Sequence, residues 1–256
     1  MHVTLFLTSP DKSSIRLPSA NLHLFQSMLY SVLPFYSDKL ADIVHDEGFV
    51  SDGRKMKLFA MSWPASASSP QFGENTVIFP LPIKLVISTP LNSLAAGFSE
   101  GALSAGKLRI GNNVVFCSKV ETVRHLIISE KITITTLSPI TCYETIERDG
   151  RNYTKYFSPQ DEEFQKSIYS NLVRKFKLLH PNENKSNWKF SITPLGKVKE
   201  KVSLFEKGGS FPIKGWWGNF KIEGSEELLQ TALDCGLGSK NSAGWGCITD
   251  IKERNH

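Results

Sequence analysis

The sequence predicts an α+β protein built from two βαββαβ units in tandem. Each half passes through strand, helix, strand, strand, helix and strand signals in the same order, more loosely in the first half than in the second. A chain of 256 residues is long enough for two cores, each in a domain of roughly 125 residues. Its 40% hydrophobic and 21% charged residues are those of an ordinary globular chain rather than a disordered one. The first unit covers residues 1–125 and the second 126–256, with the boundary between Val123 and Lys131.

In the first half, "MHVTLFLTS" alternates Val3, Leu5 and Leu7 against His2, Thr4 and Thr8, the period of a strand. From Ser19 to Leu33 the period lengthens, and Leu22, Phe25, Met28, Leu29, Val32 and Leu33 fall on one arc of a helix. A second short helix runs from Ser37 to His45 with Leu40, Ile43 and Val44 inward, and stops before Gly48. Strands follow at "KLFAMSW" and "NTVIFPLPIKLVIS", then a helix near "TPLNSLAAGFSEGAL", then "KLRIGNNVVFCSKV" with a hairpin turn at "GNN".

The second half opens with a strand at "KITITTLSPITCYE". The helix "DEEFQKSIYSNLVRKFKLLH" begins acidic and ends basic, as its dipole prefers. Strands at "WKFSITPL", "VKEKVSLFE" and "IKGWWGNFKIEG" precede a helix "SEELLQTALDC" capped by Ser225 and a last strand near "GWGCITDI".

No stretch approaches the roughly 18 apolar residues of a membrane span, and the first apolar run is too short for a secretory leader. The expectation is a cytoplasmic protein with no membrane partner. Cys117, Cys142, Cys235 and Cys247 show no C-x-x-C pairing, so neither a zinc site nor a disulfide framework is expected, and they read as buried thiols. No cofactor is implied.

The net charge of +5 is unevenly spread: between Gln165 and Lys221 twelve Lys and Arg residues face three acids. That excess is consistent with a polyanionic partner and equally with a solvated face. Arg174, Lys175 and Lys177 lie on a helix, and Lys197, Lys199 and Lys201 recur at the spacing that puts alternate residues on one face of a strand. "KGWWGNFKI" departs from the RNP1 signature of RNA-recognition domains, because Trp217 stands where a small residue is required. Trp216 and Trp217 read mainly as core or interface aromatics, with base stacking by one of them as the alternative.

The stretch "CGLGSKNSAGWGC", Cys235 to Cys247, contains four glycines. It is not a dinucleotide fingerprint, since Asn241 stands in place of the third glycine and the loop follows a helix instead of a strand. Nor is it a P-loop, because no lysine follows Gly244. Two readings remain: a turn that redirects the chain, or a backbone that approaches a phosphate closely, with Lys240 and Asn241 as donors.

"GLGSKNSAGWG" after a short helix, together with "NLHLFQSMLYSVL", "LADIVHDEGF" leading to "KLFAMS", and "TLSPITCY", resembles the CRISPR-associated repeat-processing endoribonucleases, the sixth family of Cas proteins. The resemblance spans nearly the whole chain and is most specific at the glycine-rich stretch. It implies two ferredoxin-like, RRM-like domains with that loop in the groove between them, touching RNA through Gly236, Gly238, Ser239, Lys240, Asn241 and Gly244. The basic residues of the second half, Arg174, Lys175, Lys177, Lys197, Lys199 and Lys201, would complete the RNA-binding surface.

The implied activity is metal-independent cleavage of CRISPR repeat RNA by its own 2′-OH, leaving 2′,3′-cyclic phosphate and 5′-OH ends. By the same resemblance His45 carries the proton transfers, Tyr30 orients the reacting groups and Lys57 stabilises the charged phosphate. His45 is expected at the end of its helix, with Asp46 and Glu47 favouring its charged form. Arg54 and Lys55 are alternatives to Lys57, Tyr36 to Tyr30 and His23 to His45. The family also contains members that bind RNA without cutting it, so an inactive repeat-binding subunit is the alternative function. The implied partners are precursor and guide RNA and other subunits of a CRISPR effector complex, with the chain as monomer or homodimer.

Overall fold

The structure is a computed structural model that describes residues 1–44, 48–51, 53–183, 185–206 and 210–251. The first half comprises β1 (His2–Thr8), β2 (Ser14–Pro18), α1 (Leu22–Val32) and α2 (Asp38–Asp42), then a hairpin of β3 (Phe49–Ser51) and β4 (Arg54–Met56). Next come β5 (Ala60–Met61), β6 (Ala65–Ser66), β7 (Gln71–Phe72), β8 (Thr76–Pro80) and β9 (Ile83–Ser88), followed by α3 (Asn92–Ser104), β10 (Lys107–Ile110) and β11 (Asn113–Val123).

The main sheet runs β10-β11-β1-β9-β5, with antiparallel pairing throughout. The central path β11-β1-β9-β5 is the ferredoxin-like order, in which the first and third strands of the unit pair at the centre. Leu22, Phe25, Met28, Leu29 and Val32 of α1 are buried, as the helical period requires, and the last four join Val3, Leu5 and Leu7 of β1 in one core. The "GNN" turn closes the β10–β11 hairpin, with Gly111 at φ +58°. The run "NTVIFPLPIKLVIS" is two strands instead of one, β8 and β9, broken between Leu81 and Pro82, which has no N–H for a ladder.

The second half comprises β12 (Lys131–Thr136), a hairpin of β13 (Tyr143–Arg148) and β14 (Arg151–Tyr156), α4 (Glu162–Leu179), β15 (Phe190–Glu206), β16 (Ser210–Gly224), α5 (Glu226–Cys235) and β17 (Ile248–Asp250). Its sheet order, β15-β16-β12-β17, repeats the ferredoxin-like arrangement around a second core that includes Phe164, Ile168 and Leu172 of α4 and Leu228, Leu229 and Leu233 of α5.

Several local expectations are corrected. The strand expected over "KITITTLSPITCYE" ends at Thr136, and its tail belongs to the β13–β14 hairpin, which the sequence reading did not separate. "WKFSITPL" and "VKEKVSLFE" join into β15 through a register shift between Leu195 and Lys199. Ser225 stands at the N-terminus of α5, but its Oγ accepts from the Lys189 N–H at 3.1 Å instead of capping its own helix. Cys117 is half-buried, whereas Cys142, Cys235 and Cys247 are buried, each thiol pushed up to about 12 by burial. Among the described residues, no helix is long and apolar enough to cross a membrane.

The halves meet over a polar and an aromatic seam. Trp63 N–H donates to the Leu137 carbonyl at 2.9 Å, and Ser138 Oγ donates to the Met61 carbonyl at 3.0 Å. The Trp63 ring lies 5.6 Å from that of Trp217 and 5.9 Å from that of Trp245, and its Nε1 donates to the Gly244 carbonyl at 2.8 Å. Trp217 is therefore an interface aromatic, as expected. Trp216 packs on the second core and donates to the Phe157 carbonyl.

Candidate functional site

Where the two halves diverge, a cleft of about 730 Å³ opens. One wall is the segment Lys55–Phe59, which runs from β4 into β5. The other is built by Tyr143, Glu144 and Thr145 of β13, Asn171 and Arg174 of α4, and Ser239–Ser242 of the glycine-rich loop. Lys55, Lys57, Arg174 and Lys240 line it with positive charge, and the acid among them, Glu144, is paired with Lys155 at 3.6 Å. Such a lining attracts an anionic backbone.

The glycines of the loop are explained by the protein itself. A Cβ on Gly246 would stand 1.9 Å from the Leu237 carbonyl oxygen, one on Gly238 2.4 Å from that of Thr141, and one on Gly236 2.7 Å from Cβ of Ala60 in the other half. All three have φ between +68° and +76°, where a side chain is strained in any case. Gly236, Gly238 and Gly244 are buried, so the direct RNA contacts expected of them are corrected: they let the loop fold tightly against both halves.

Asn241 is also turned inward. Its Nδ2 donates to the carbonyls of Leu237 at 2.9 Å and Trp245 at 3.0 Å, while its Oδ1 accepts from Lys175 Nζ at 2.8 Å. Lys175, only 4% exposed, also donates to the carbonyls of Cys235 at 3.1 Å and Gly236 at 2.8 Å, and burial pulls its pKa down to about 8. Expected on the RNA-binding surface, Lys175 instead holds the loop from inside, its ammonium donors occupied. Ser239, Lys240 and Ser242 are left half-buried on the cleft side of the loop.

Of the three residues expected at the reaction centre, one lines this cleft, one reaches its loop wall and one lies outside the described residues. Lys57 lines it, and its ammonium donates to the Val44 carbonyl, the peptide group leading into His45. Leu58, at φ +50°, turns the chain between Lys57 and the buried Phe59, and its carbonyl accepts from Thr89 Oγ1 at 2.9 Å. A left-handed leucine costs about 1–2 kcal/mol, so the core holds this turn against its local preference. Tyr30, half-buried on α1, is hydrogen-bonded through its hydroxyl to Ser242 of the loop and Gln26 of its own helix. Burial raises its pKa against those bonds, so the phenol remains protonated at neutral pH. His45 lies outside the described residues, as do Asp46, Glu47 and the side chain of Arg54. Lys55 lines the cleft; His23 and Tyr36 do not.

The remaining basic residues divide by position. Arg174 lines the cleft, with Nη2 donating to Ser170 Oγ at 2.9 Å. Lys177 is exposed on α4 outside the lining. Lys199 and Lys201 share an exposed face of β15, but Lys197 falls in the register shift, so the expected row of three is a pair plus an offset lysine. Sequence reasoning missed Ser242 and Tyr143 as lining residues. Tyr143 ends the "TLSPITCY" segment quoted for the resemblance, whereas nothing local distinguished Ser242.

The family model for the CRISPR-associated protein Cas6 C-terminal region matches residues 120–249. The CRISPR-associated endoribonuclease Cas6 1 of Methanocaldococcus jannaschii is 28% identical over 174 residues; the match spans 67% of this chain and 65% of that protein, just under two thirds of its length. The CRISPR-associated endoribonuclease Cas6 of Pyrococcus furiosus is 22% identical over 260 residues, covering 97% of this chain and 89% of the relative. A solved structure of a Cas6-related gene product of Pyrococcus furiosus superposes with a TM-score of 0.82 at 17% identity, covering 99% of each chain.

Proposed function

The chain belongs to the CRISPR-associated Cas6 family, and from that premise we propose that it is a metal-independent endoribonuclease that binds CRISPR repeat RNA and cuts precursor transcripts into guide RNAs. The observation that carries this reading is the cationic cleft between two ferredoxin-like halves, with Lys57 bonded to the peptide preceding His45 and Tyr30 bonded to the loop across the seam.

In this reading the RNA 2′-OH attacks the adjacent phosphorus while His45 serves the proton transfers that cleavage requires. The P–O5′ bond breaks, and the leaving oxygen takes a proton to become a 5′-OH. Lys57 supports the charge that builds on the phosphorane, and the protonated Tyr30 hydroxyl orients the reacting groups from the loop side. Lys240, Arg174 and Lys55 hold the flanking phosphates, and Lys199 and Lys201 extend the contact along β15. On this proposal the protein works in the cytoplasm as a monomer or homodimer, with other CRISPR effector subunits as further partners.

The test is incubation of the purified protein, in excess EDTA, with repeat RNA from the nearest CRISPR array and with the same RNA carrying a 2′-deoxy substitution at the cut site. Cleavage of the first alone supports the reading. Tight binding without cleavage of either replaces it with a repeat-holding subunit, and cleavage of both removes the 2′-OH from the mechanism.

A further inference from the structure

At the rim of the cleft, two aromatic rings from separate elements are bridged by one lysine. Lys240 Nζ lies 5.4 Å from the ring centroid of Tyr143 on β13 and 5.7 Å from that of Phe211 on β16. Tyr143 lines the cleft, and Phe211 is 40% exposed although apolar. The two elements are tied together: Tyr156, paired in register with Tyr143 and 5.7 Å away between rings, donates its hydroxyl to the Pro212 carbonyl at 2.9 Å. Thus the residue next to Phe211 is anchored to the hairpin that carries Tyr143.

An occupant of this rim meets flat apolar faces beside positive charge from Lys240, with Arg174 and Lys55 further along the same lining. A nucleotide satisfies both demands, with its base on a ring and its phosphate on an ammonium. A base inside a duplex is already stacked on its neighbours and its faces are inaccessible, so the nucleotide has to be unpaired. We propose that Tyr143 and Phe211 form a stacking site for an unpaired RNA base at the mouth of the cleft, with Lys240 leaving the rings for the adjoining phosphate. The site rests on the reading of repeat RNA as the ligand and adds a contact to the base itself, which the phosphate-facing lysines lack.

The experiment measures the affinity of the full chain, by fluorescence anisotropy, for repeat RNA from the nearest array and for a series carrying one abasic nucleotide at successive unpaired positions. Tyr143→Leu is expected to weaken binding about tenfold and Tyr143→Phe to restore it, since stacking needs the ring and not the hydroxyl. Phe211→Ala, on an exposed position, is a second variant independent of any packing loss at Tyr143, and it should leave the salt dependence unchanged because it removes no phosphate contact. One abasic position should cost the wild type about as much as Tyr143→Leu does and cost that variant little more. Wild-type affinity in both Tyr143→Leu and Phe211→Ala, or abasic losses that add fully to Tyr143→Leu at every position, would overturn the stacking site while leaving RNA as the ligand. Failure of the wild type to bind repeat RNA would overturn both readings.

Discussion

The ammonium of Lys57 donates a hydrogen bond to the main-chain carbonyl of Val44, so the turn entering β5 is joined to the peptide immediately before His45. The lysine proposed to meet the charged phosphate is thus tied to the main chain that leads into the proposed histidine. The lysine is delivered there by the left-handed turn at Leu58, which the buried side chain and the Thr89 bond hold in place.

This connection makes the effects of Lys57 and His45 interdependent. His45→Ala is expected to abolish cleavage, and Lys57→Ala to slow single-turnover cleavage about a hundredfold, with RNA affinity changed by less than about twofold in each. The double variant should be little slower than His45→Ala, because groups that act as a unit are not additive. His45→Ala cutting at the wild-type rate would remove that residue from the chemistry.

Lys240 and Gly238 are neighbours in the loop but should fail differently. Lys240→Ala should weaken RNA binding and reduce the slope of log affinity against log salt by about 0.7, one phosphate contact on a single strand. Gly238→Ala places a Cβ 2.4 Å from the Thr141 carbonyl oxygen at φ +68°, so it should lower the melting temperature, with binding lost only through misfolding. Titration of each variant at several salt concentrations, beside a melt, separates the two.

Lys175→Met should behave as a structural lesion. The substitution keeps an apolar stem of similar length but leaves the Cys235 and Gly236 carbonyls and the Asn241 side chain without their donor, at a cost of about 2–3 kcal/mol. Urea unfolding measures it. A stability equal to wild type would mean that these acceptors find other partners and that the lysine is not what holds the loop.

His2 sets an acid limit on the fold. Burial lowers its pKa to about 3, with the ring of His125, 4.2 Å away, acting in the same direction; the bond from Nε2 to the Leu233 carbonyl opposes both. The unfolded chain therefore binds more protons than the folded one between about pH 6.5 and pH 3, and stability falls as pH falls through that window. At pH 5 this amounts to about 2 kcal/mol from this residue. Urea unfolding at pH 7 and pH 5 should show that loss in the wild type and a smaller one in His2→Asn; an equal loss in both would place the acid sensitivity elsewhere.

Much of the architecture was legible because it rests on periodicity. Leu22, Phe25, Met28, Leu29 and Val32 announce α1 by spacing alone, and the repeated order of elements gives both ferredoxin-like sheets. The β13–β14 hairpin was not legible: "YETIERDGRNYTKY" exposes most of its residues on both faces and so lacks the apolar alternation of a buried strand. At the site, the charges of Lys57, Arg174 and Lys240 could be read, but the inward turn of Lys175 and Asn241 could not, because only the folded chain brings together residues that are 66 positions apart. The same limit applied to the glycines, whose close neighbours are Thr141, Ala60 and Leu237 rather than anything outside the protein.

The seam around Trp63 and the burial of His2 against Leu233 have a consequence for synthesis from the ribosome. The first sheet can form once β11 has emerged, yet Trp63 stays open to water until Trp217 and Trp245 arrive, and His2 until α5 does. The first half must therefore wait, with its seam uncovered, while the second is translated, a period in which exposed apolar surface favours misassociation. Proteolysis of ribosome-stalled chains should show protection at Trp63 only when the stall lies far enough beyond residue 247 for the whole loop to clear the exit tunnel; early protection would mean that the first half closes its seam alone.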